Sequence, residues 1–339
     1  MLEDNNSPKN TTLKKIWLLA FCALVLLMIS IGGITRLTRS GLSIVEWRPI
    51  SGIIPPITDS DWQIQFDLYK SSPEYTQLNL HFNIQDYKNI FFWEYSHRLL
   101  GRIIFIFVVL PGFILWRKNL VSGKLVLLLA GLIAFQGLIG WLMVKTGLNT
   151  NPQISPFMLA LHFFSALSVL IIAYYHFLSL KITEPIRLTR LQNNFITIFG
   201  ILLSLQIFYG CLTSGFKAGY GYNTYPLMNG NFFPEGGLFF LPLWLNFFEN
   251  TATIQWVHRW LGALVFIILI GLLVVFAKTS AWIKLKKKFL CLFGLTFIQV
   301  ILGILNIIYV VPLSLAALHQ LVASFLVLVY FNLVFSTSI

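Results

Sequence analysis

Eight apolar runs, near residues 16–34, 92–116, 125–144, 157–180, 195–213, 256–277, 289–310 and 315–335, decide what this chain can fold into. Each is long enough to cross a hydrocarbon core of about 30 Å. Lipid offers no water to unpaired backbone groups, so such runs are expected to cross as helices. Composition agrees: 57% of the 339 residues are apolar and 11% charged, where a soluble domain has about 25% charged, so a large soluble catalytic domain is excluded. The net charge of +12 would suit nucleic acid, but Lys and Arg lie in short clusters between the runs. We read the charge as topology, with the lipid bilayer as partner and no nucleic acid.

The clusters alternate. Lys9, Lys14 and Lys15, then Arg117, Lys118 and Lys124, then Lys181, Arg187 and Arg190, then Lys278, Lys284 and Lys286 to Lys288 mark one side, while the short opposite loops carry Lys145 or nothing. Both termini are therefore expected in the cytoplasm, with the long segments 35–91 and 215–255 outside. Their Pro, Gly, Asn and aromatic content suits ordered loops. The first run ends in Gly32-Gly33-Ile34-Thr35-Arg36 with no small-residue cleavage pattern, and the leading segment carries Glu3 and Asp4, unlike a transit peptide. A bacterial inner membrane, crossed many times, is the expected location.

Internal repetition sharpens the fold. Gly32-Gly33-Ile34-Thr35, Arg39 and Gly41 recur at a shift of 178 as Gly210-Cys211-Leu212-Thr213, Lys217 and Gly219. His97-Arg98-Leu99-Leu100-Gly101 returns as His258-Arg259-Trp260-Leu261-Gly262, Gln136 with Gly140 as Gln299 with Gly303, and Leu161-His162 with Ala166 as Leu318-His319 with Ala323. The expected fold is an all-α polytopic membrane protein of two tandem four-helix bundles, 1–190 and 191–339. Four crossings return the chain to its starting side, so the copies are expected to relate by an axis along the membrane normal.

Four of the six histidines fall in this repeat, one at the start of each even-numbered run, which places them at similar depth toward the outer face. An intramembrane ionisable residue is a functional candidate, and facing helices of a four-helix bundle hold cofactors by inward side chains. The three cysteines, Cys22, Cys211 and Cys291, lie in apolar runs and form no CxxC pair, so a metal falls to histidine or carboxylate. Two histidines per copy are too few for a closed zinc site but match the two axial imidazoles of a six-coordinate heme. Gly101, Gly262, Ala166 and Ala323, four positions after the histidines, either clear space for a macrocycle or pack helices. Arg36, Arg39, Arg98, Arg102, Lys217 and Arg259 are candidates for pairing with heme propionates, although such side chains also snorkel to the interface. Gln136 and Gln299 read as interhelical hydrogen-bonding groups, and His81 and His176, without repeat counterparts, as non-ligands.

The copies differ at one telling place. Three residues before the repeated histidine the first copy has Glu94 and the second Gln255. Residues i and i+3 share a helix face, so Glu94 would stand in the His97 pocket as an acid that Gln255 cannot replace. The alternative is an interfacial acid, wet or paired with Arg98 or Arg102.

The strings GGITRLTRSGLSIVEWRPISGIIPP, WEYSHRLLGR, LALHFFSA, VHRWLGA and AALHQLVA resemble those of the heme A synthase family, in its proteobacterial and mitochondrial branch, and the likeness runs along nearly the whole chain. It implies oxidation of a ring methyl of heme O, made by a farnesyltransferase (heme O synthase), to the formyl group of heme A for cytochrome oxidase assembly. Carried over, His97 and His162 would flank the substrate heme, His258 and His319 would hold a heme b, and Glu94 would be the acidic residue of the reaction, as charge stabiliser or proton acceptor. The outer-loop cysteine pairs of some members are missing, so a loop disulfide passing electrons does not transfer. An electron carrier is implied without being identified, and a homo-oligomer is compatible with the sequence. Two other classes remain: a diheme b-type cytochrome, which gives no reason for the Glu94/Gln255 difference, and a transporter, which one-sided histidines and unbroken helices disfavour.

Overall fold

The computed structural model describes residues 8–148, 152–181 and 184–338; Glu3 and Asp4 of the leading segment lie outside the described residues. The helices are α1 (Pro8–Leu37), α2 (Asp59–Lys70), α3 (Pro73–Leu78), α4 (Ile84–Arg117), α5 (Gly123–Gly147), α6 (Pro156–Leu178), α7 (Arg190–Gly215), α8 (Asn246–Glu249), α9 (Thr251–Ala277), α10 (Ser280–Ile308) and α11 (Leu313–Phe335). Eight of them, all but α2, α3 and α8, are long and apolar enough to span a membrane. The chain is an all-α polytopic membrane protein. Its described strands are one parallel pair of two residues each, Ile186–Arg187 with Thr337–Ser338.

The spans match the eight apolar runs, and several helices, α1, α4 and α10 most of all, begin well before their apolar parts. α4 begins at Ile84 rather than near 92, because Asn83 and Asp86 close a capping box there and satisfy the first free N–H groups. His97 thus sits well inside α4. α10 begins at Ser280, so Lys284 and Lys286 to Lys288 ride on its first turns rather than on a connecting segment. A hydropathy reading finds where a helix turns apolar, whereas the backbone ladder runs on to its cap.

The chain divides into two compact units, Met1–Phe177 and Leu178–Ile339. In the first, α4 packs against α1 and α5; in the second, α9 packs against α7 and α10, and α10 against α11. The long loop of the first unit has a core of its own. Phe66, Tyr69, Tyr87, Ile90 and Phe91 are buried together, with the Tyr69 and Tyr87 rings stacked at 5.1 Å, so α2 docks on the polar extension of α4. The Tyr69 hydroxyl donates to Glu74 Oε2 at 3.2 Å and accepts from Asn79 at 2.8 Å. Burial and then the Glu74 carboxylate push this phenol above its usual range, which keeps it a neutral donor. The second unit's loop is held by polar side chains instead: Asn246 donates to the carbonyls of Phe240 (2.8 Å) and Leu243 (3.0 Å), Asn250 to that of Gly236 (2.8 Å), and Trp256 to that of Phe232 (2.8 Å).

Candidate functional site

The repeated histidines form one pair in each unit. His97 on α4 and His162 on α6 are electrostatic neighbours, as are His258 on α9 and His319 on α11. All four are half-buried. His162 Nδ1 is shielded from solvent without a hydrogen-bond partner, an expensive state for an imidazole nitrogen unless something else binds the ring, while the rings of His258 and His319 turn toward the backbone of Gln206 and of Gln299. Among the described residues no three His, Cys, Asp or Glu side chains gather closely enough to hold a bare ion. A group that brings its own in-plane ligands suits such pairs.

Each imidazole lies over a glycine of a neighbouring helix. A Cβ on Gly32 would come within 3.0 Å of His97, on Gly140 within 3.6 Å of His162, on Gly210 within 3.1 Å of His258, and on Gly303 within 3.3 Å of His319. These four glycines are themselves repeat pairs, so the same clearance is built twice. Of the two readings open at Gly101 and Gly262, helix packing is the one found: a Cβ there would meet the Met28 methyl at 3.3 Å and the Gln206 amide at 3.0 Å. Those two glycines serve helix packing, because a neighbouring side chain, rather than open space, occupies their face. Gln136 makes the expected interhelical bonds, to Ser165 Oγ at 2.7 Å and the His162 carbonyl at 3.4 Å. In the second unit Gln206 on α7 makes a separate interhelical bond, donating to the His258 carbonyl at 3.1 Å, while Gln299 Oε1 is shielded without a partner.

Glu94 is buried, 3% exposed, and fully engaged. Its Oε2 accepts from Ser43 Oγ at 2.7 Å and from the Ile44 N–H at 2.8 Å, and its Oε1 from Arg98 Nη2 at 2.6 Å. Three donors converge on it, the pattern of an ionised carboxylate. Of the alternatives open to the sequence, pairing with Arg98 is therefore the arrangement found, and pairing with Arg102 is not. Arg98 also donates to the carbonyls of Ile44 (2.9 Å) and Glu46 (3.2 Å), so one guanidinium fastens both acid and loop to α4.

The second unit repeats this fastening without the acid. At the same shift of 178, Ile44 and Glu46 become Tyr222 and Thr224, and Arg259 donates to their carbonyls at 2.5 and 2.6 Å. Gln255, 1% exposed, donates to the Tyr222 carbonyl at 3.1 Å and leaves Oε1 unpartnered. Ser43 becomes Gly221. Among the described residues Arg259 makes no ion pair, so its charge stands uncompensated where that of Arg98 is matched by Glu94.

Of the six cations offered for propionates, three each donate to two loop carbonyls. Arg98 and Arg259 are bound as above, and Arg102 donates to the carbonyls of Pro49 and Arg48, both at 2.9 Å. Arg102 Nη1 and Arg259 Nε are buried and unpartnered; Arg98 and Arg102 also line a cavity of about 450 Å³ under the 44–57 segment. Arg39 and Lys217, repeat equivalents, both take the left-handed conformation just past α1 and α7, with φ of 54° and 56°, unusual for residues with a Cβ. Arg36 lies in the last turn of α1. His81 is exposed and packs edge-on against Phe82, and His176 near the end of α6 meets Tyr175 edge-on; neither belongs to a pair. Sequence reasoning did not single out Ser43, Ile44 and Gln206. The 178 shift contained the Ser43/Gly221 difference, but no chemistry pointed to it before Glu94 was placed.

Fold and site together define a membrane protein with two histidine-pair sites of unequal charge. Comparison with known sequences gives its family. The model for the COX15-CtaA family, cytochrome oxidase assembly protein, matches residues 15–331, and the chain belongs to that family. Similar curated proteins include heme A synthases of Wolbachia pipientis subsp. Culex pipiens (36% identity; 90% of this chain, 92% of that one), Ehrlichia canis (38%; 91% and 88%) and Azorhizobium caulinodans (38%; 91% and 90%).

Proposed function

We propose that this chain is a heme A synthase, a membrane oxidoreductase that converts a ring methyl of heme O to the formyl group of heme A for cytochrome oxidase. Family membership and relatives of that name along nine-tenths of the chain support it. The observation that supports the assignment of roles is the unequal pair of units: matched imidazoles over matched glycines, with a buried, arginine-paired carboxylate one helix turn before the histidine of α4 and a glutamine at that place on α9.

In this reading the first unit takes the substrate, with His97 and His162 flanking heme O, and the second holds a heme b through His258 and His319. The paired imidazoles, each seated against a glycine of a neighbouring helix, fit such groups. A bound heme b would supply one-electron transfer, and the electrons leave to a separate carrier. The protein lies in the inner membrane with both termini cytoplasmic and both sites toward the outer face. Heme O synthase is the upstream partner, since it makes the substrate. Arg102 Nη1 and Arg259 Nε are the buried donors left to meet propionates, with Arg36, Arg39 and Lys217 as the other basic candidates.

Glu94 acts as a fixed charge in this account. Its lone pairs are largely taken by Ser43, Ile44 and Arg98, which suits an anion held in place better than a base that must accept and release a proton. Electrostatic groups set beforehand and shielded from water are effective in catalysis. Here the carboxylate cancels Arg98, so positive charge developing at the oxidised carbon does not meet an unbalanced guanidinium on the residue next to His97. The test is to identify by mass the hemes in protein purified from cells that make heme O. Heme b together with heme O or heme A is the expected result, whereas heme b alone at two per chain would overturn the assignment in favour of an electron-transfer cytochrome.

A further inference from the structure

The two units differ by more than one acid. Where Glu94 becomes Gln255, the residue whose hydroxyl touches it also changes, from Ser43 to Gly221. Space does not impose that glycine. Gly221 has ordinary right-handed angles, φ −81° and ψ −51°, and a Cβ there would meet nothing nearer than the Ala218 carbonyl at 3.7 Å. A serine would fit. The hydroxyl is thus present where a carboxylate must be held and absent where there is none, although the arginine fastening and the loop path persist in both units.

Ser43 is also placed with care. It is fully buried, and the Tyr87 hydroxyl, itself buried in the aromatic core of the loop, donates to its carbonyl at 3.4 Å. The Ser43 N–H bonds the Ser40 carbonyl at 3.2 Å, so the residue is tied to the turn after α1 as well. Its hydroxyl and the next backbone N–H grip the same carboxylate oxygen, Oε2, and leave Oε1 to Arg98. Two donors from the loop fix the rotation of the carboxylate, which an arginine contact alone does not, since Arg98 touches one oxygen.

We propose that Ser43 is a positioning residue that, with the Ile44 N–H, locks the orientation of the Glu94 carboxylate, and so couples the fold of the first loop to the chemistry of the first site. This rests on the reading of Glu94 as the charged group of the reaction. A hydrogen bond to an ionised group is among the stronger ones, so losing it should show in rate.

The experiment measures heme A formed per chain by full-length protein in membranes supplied with heme O, with the heme b spectrum read from the same sample as the sign of a folded second unit. Ser43→Ala is expected to lower heme A formation about tenfold with heme content unchanged, and Ser43→Thr, which restores a hydroxyl, to recover most of it. Ser43→Gly, the residue the second unit carries, gives a second route should the alanine variant fold poorly. The decisive comparison is the double variant. If Ser43 works through Glu94, adding Ser43→Ala to Glu94→Gln costs little more than Glu94→Gln alone, because the group it positions is already gone. An undiminished rate in Ser43→Ala and Ser43→Gly, or an equal fold loss in both backgrounds, overturns the proposal while leaving the role of Glu94 intact. Full heme A yield from Glu94→Gln overturns the underlying reading instead.

Discussion

The turn after α1 and the turn after α7 follow the same backbone plan and yet prepare different surroundings for their histidines. Both end in a left-handed basic residue, and both lay a short segment whose carbonyls are gripped by an arginine next to the repeated histidine. In the first unit that arginine is neutralised by Glu94, and an aromatic core holds the loop. In the second it stays unbalanced, and asparagine side chains hold the loop. The repeated segments therefore share their histidine–glycine contacts and their backbone fastening, while the acid and its hydroxyl partner differ. The charged cluster next to the repeated histidine is the difference with the most direct bearing on chemistry.

The comparison breaks most visibly at the histidines. Removing an axial ligand changes the spin state of a heme and weakens its retention, so His258→Ala or His319→Ala should remove heme b, identified by mass, and its share of the low-spin spectrum from the purified protein, while substrate-heme binding at His97 and His162 persists. An undiminished spectrum in both variants would remove the second unit's role.

A smaller effect separates the arginines. Arg98 is 16% exposed and paired with a buried acid, so Arg98→Ala strands a carboxylate, a loss of about 3–5 kcal/mol for a buried pair. Arg259→Ala leaves only carbonyls unmet, about 1–3 kcal/mol. Denaturation of the two variants in detergent, followed by helical circular dichroism, should rank Arg98→Ala as the less stable. Equal losses would mean that the Glu94 pair contributes nothing beyond loop fastening.

Much of this was legible in the chain. Eight apolar runs gave the spans, because a bilayer admits few alternatives, and the offsets between repeats aligned the four histidines. The matched glycines were visible as letters, yet their facing the imidazoles was not, since sequence spacing does not say which helices become neighbours. Gly101 and Gly262 show the converse: their spacing put them on the histidine face, but Met28 and Gln206 from other helices fill the gap. The Arg98 bonds to Ile44 and Glu46 span about fifty residues, and no local pattern announces such a contact. α2 and α3 escaped a reading tuned to apolar runs, because their helices are short and polar, set by caps such as Thr58 with Asp61.

The central claim is that the buried anion beside the first histidine pair distinguishes the unit that transforms its heme from the unit that retains one. Glu94→Gln keeps the side chain's shape, removes its charge and gives the first unit the glutamine of the second. Heme A per chain, measured in cells supplied with heme O beside the b-heme spectrum, tests it most directly. A charge held in a shielded site is worth at least about tenfold in rate, so heme A should fall by that factor or more with the spectrum intact, and Glu94→Asp, with the charge withdrawn by one methylene, should fall between. Full heme A yield from Glu94→Gln would show that the acid only fastens the loop, and the functional contrast between the two units would be lost.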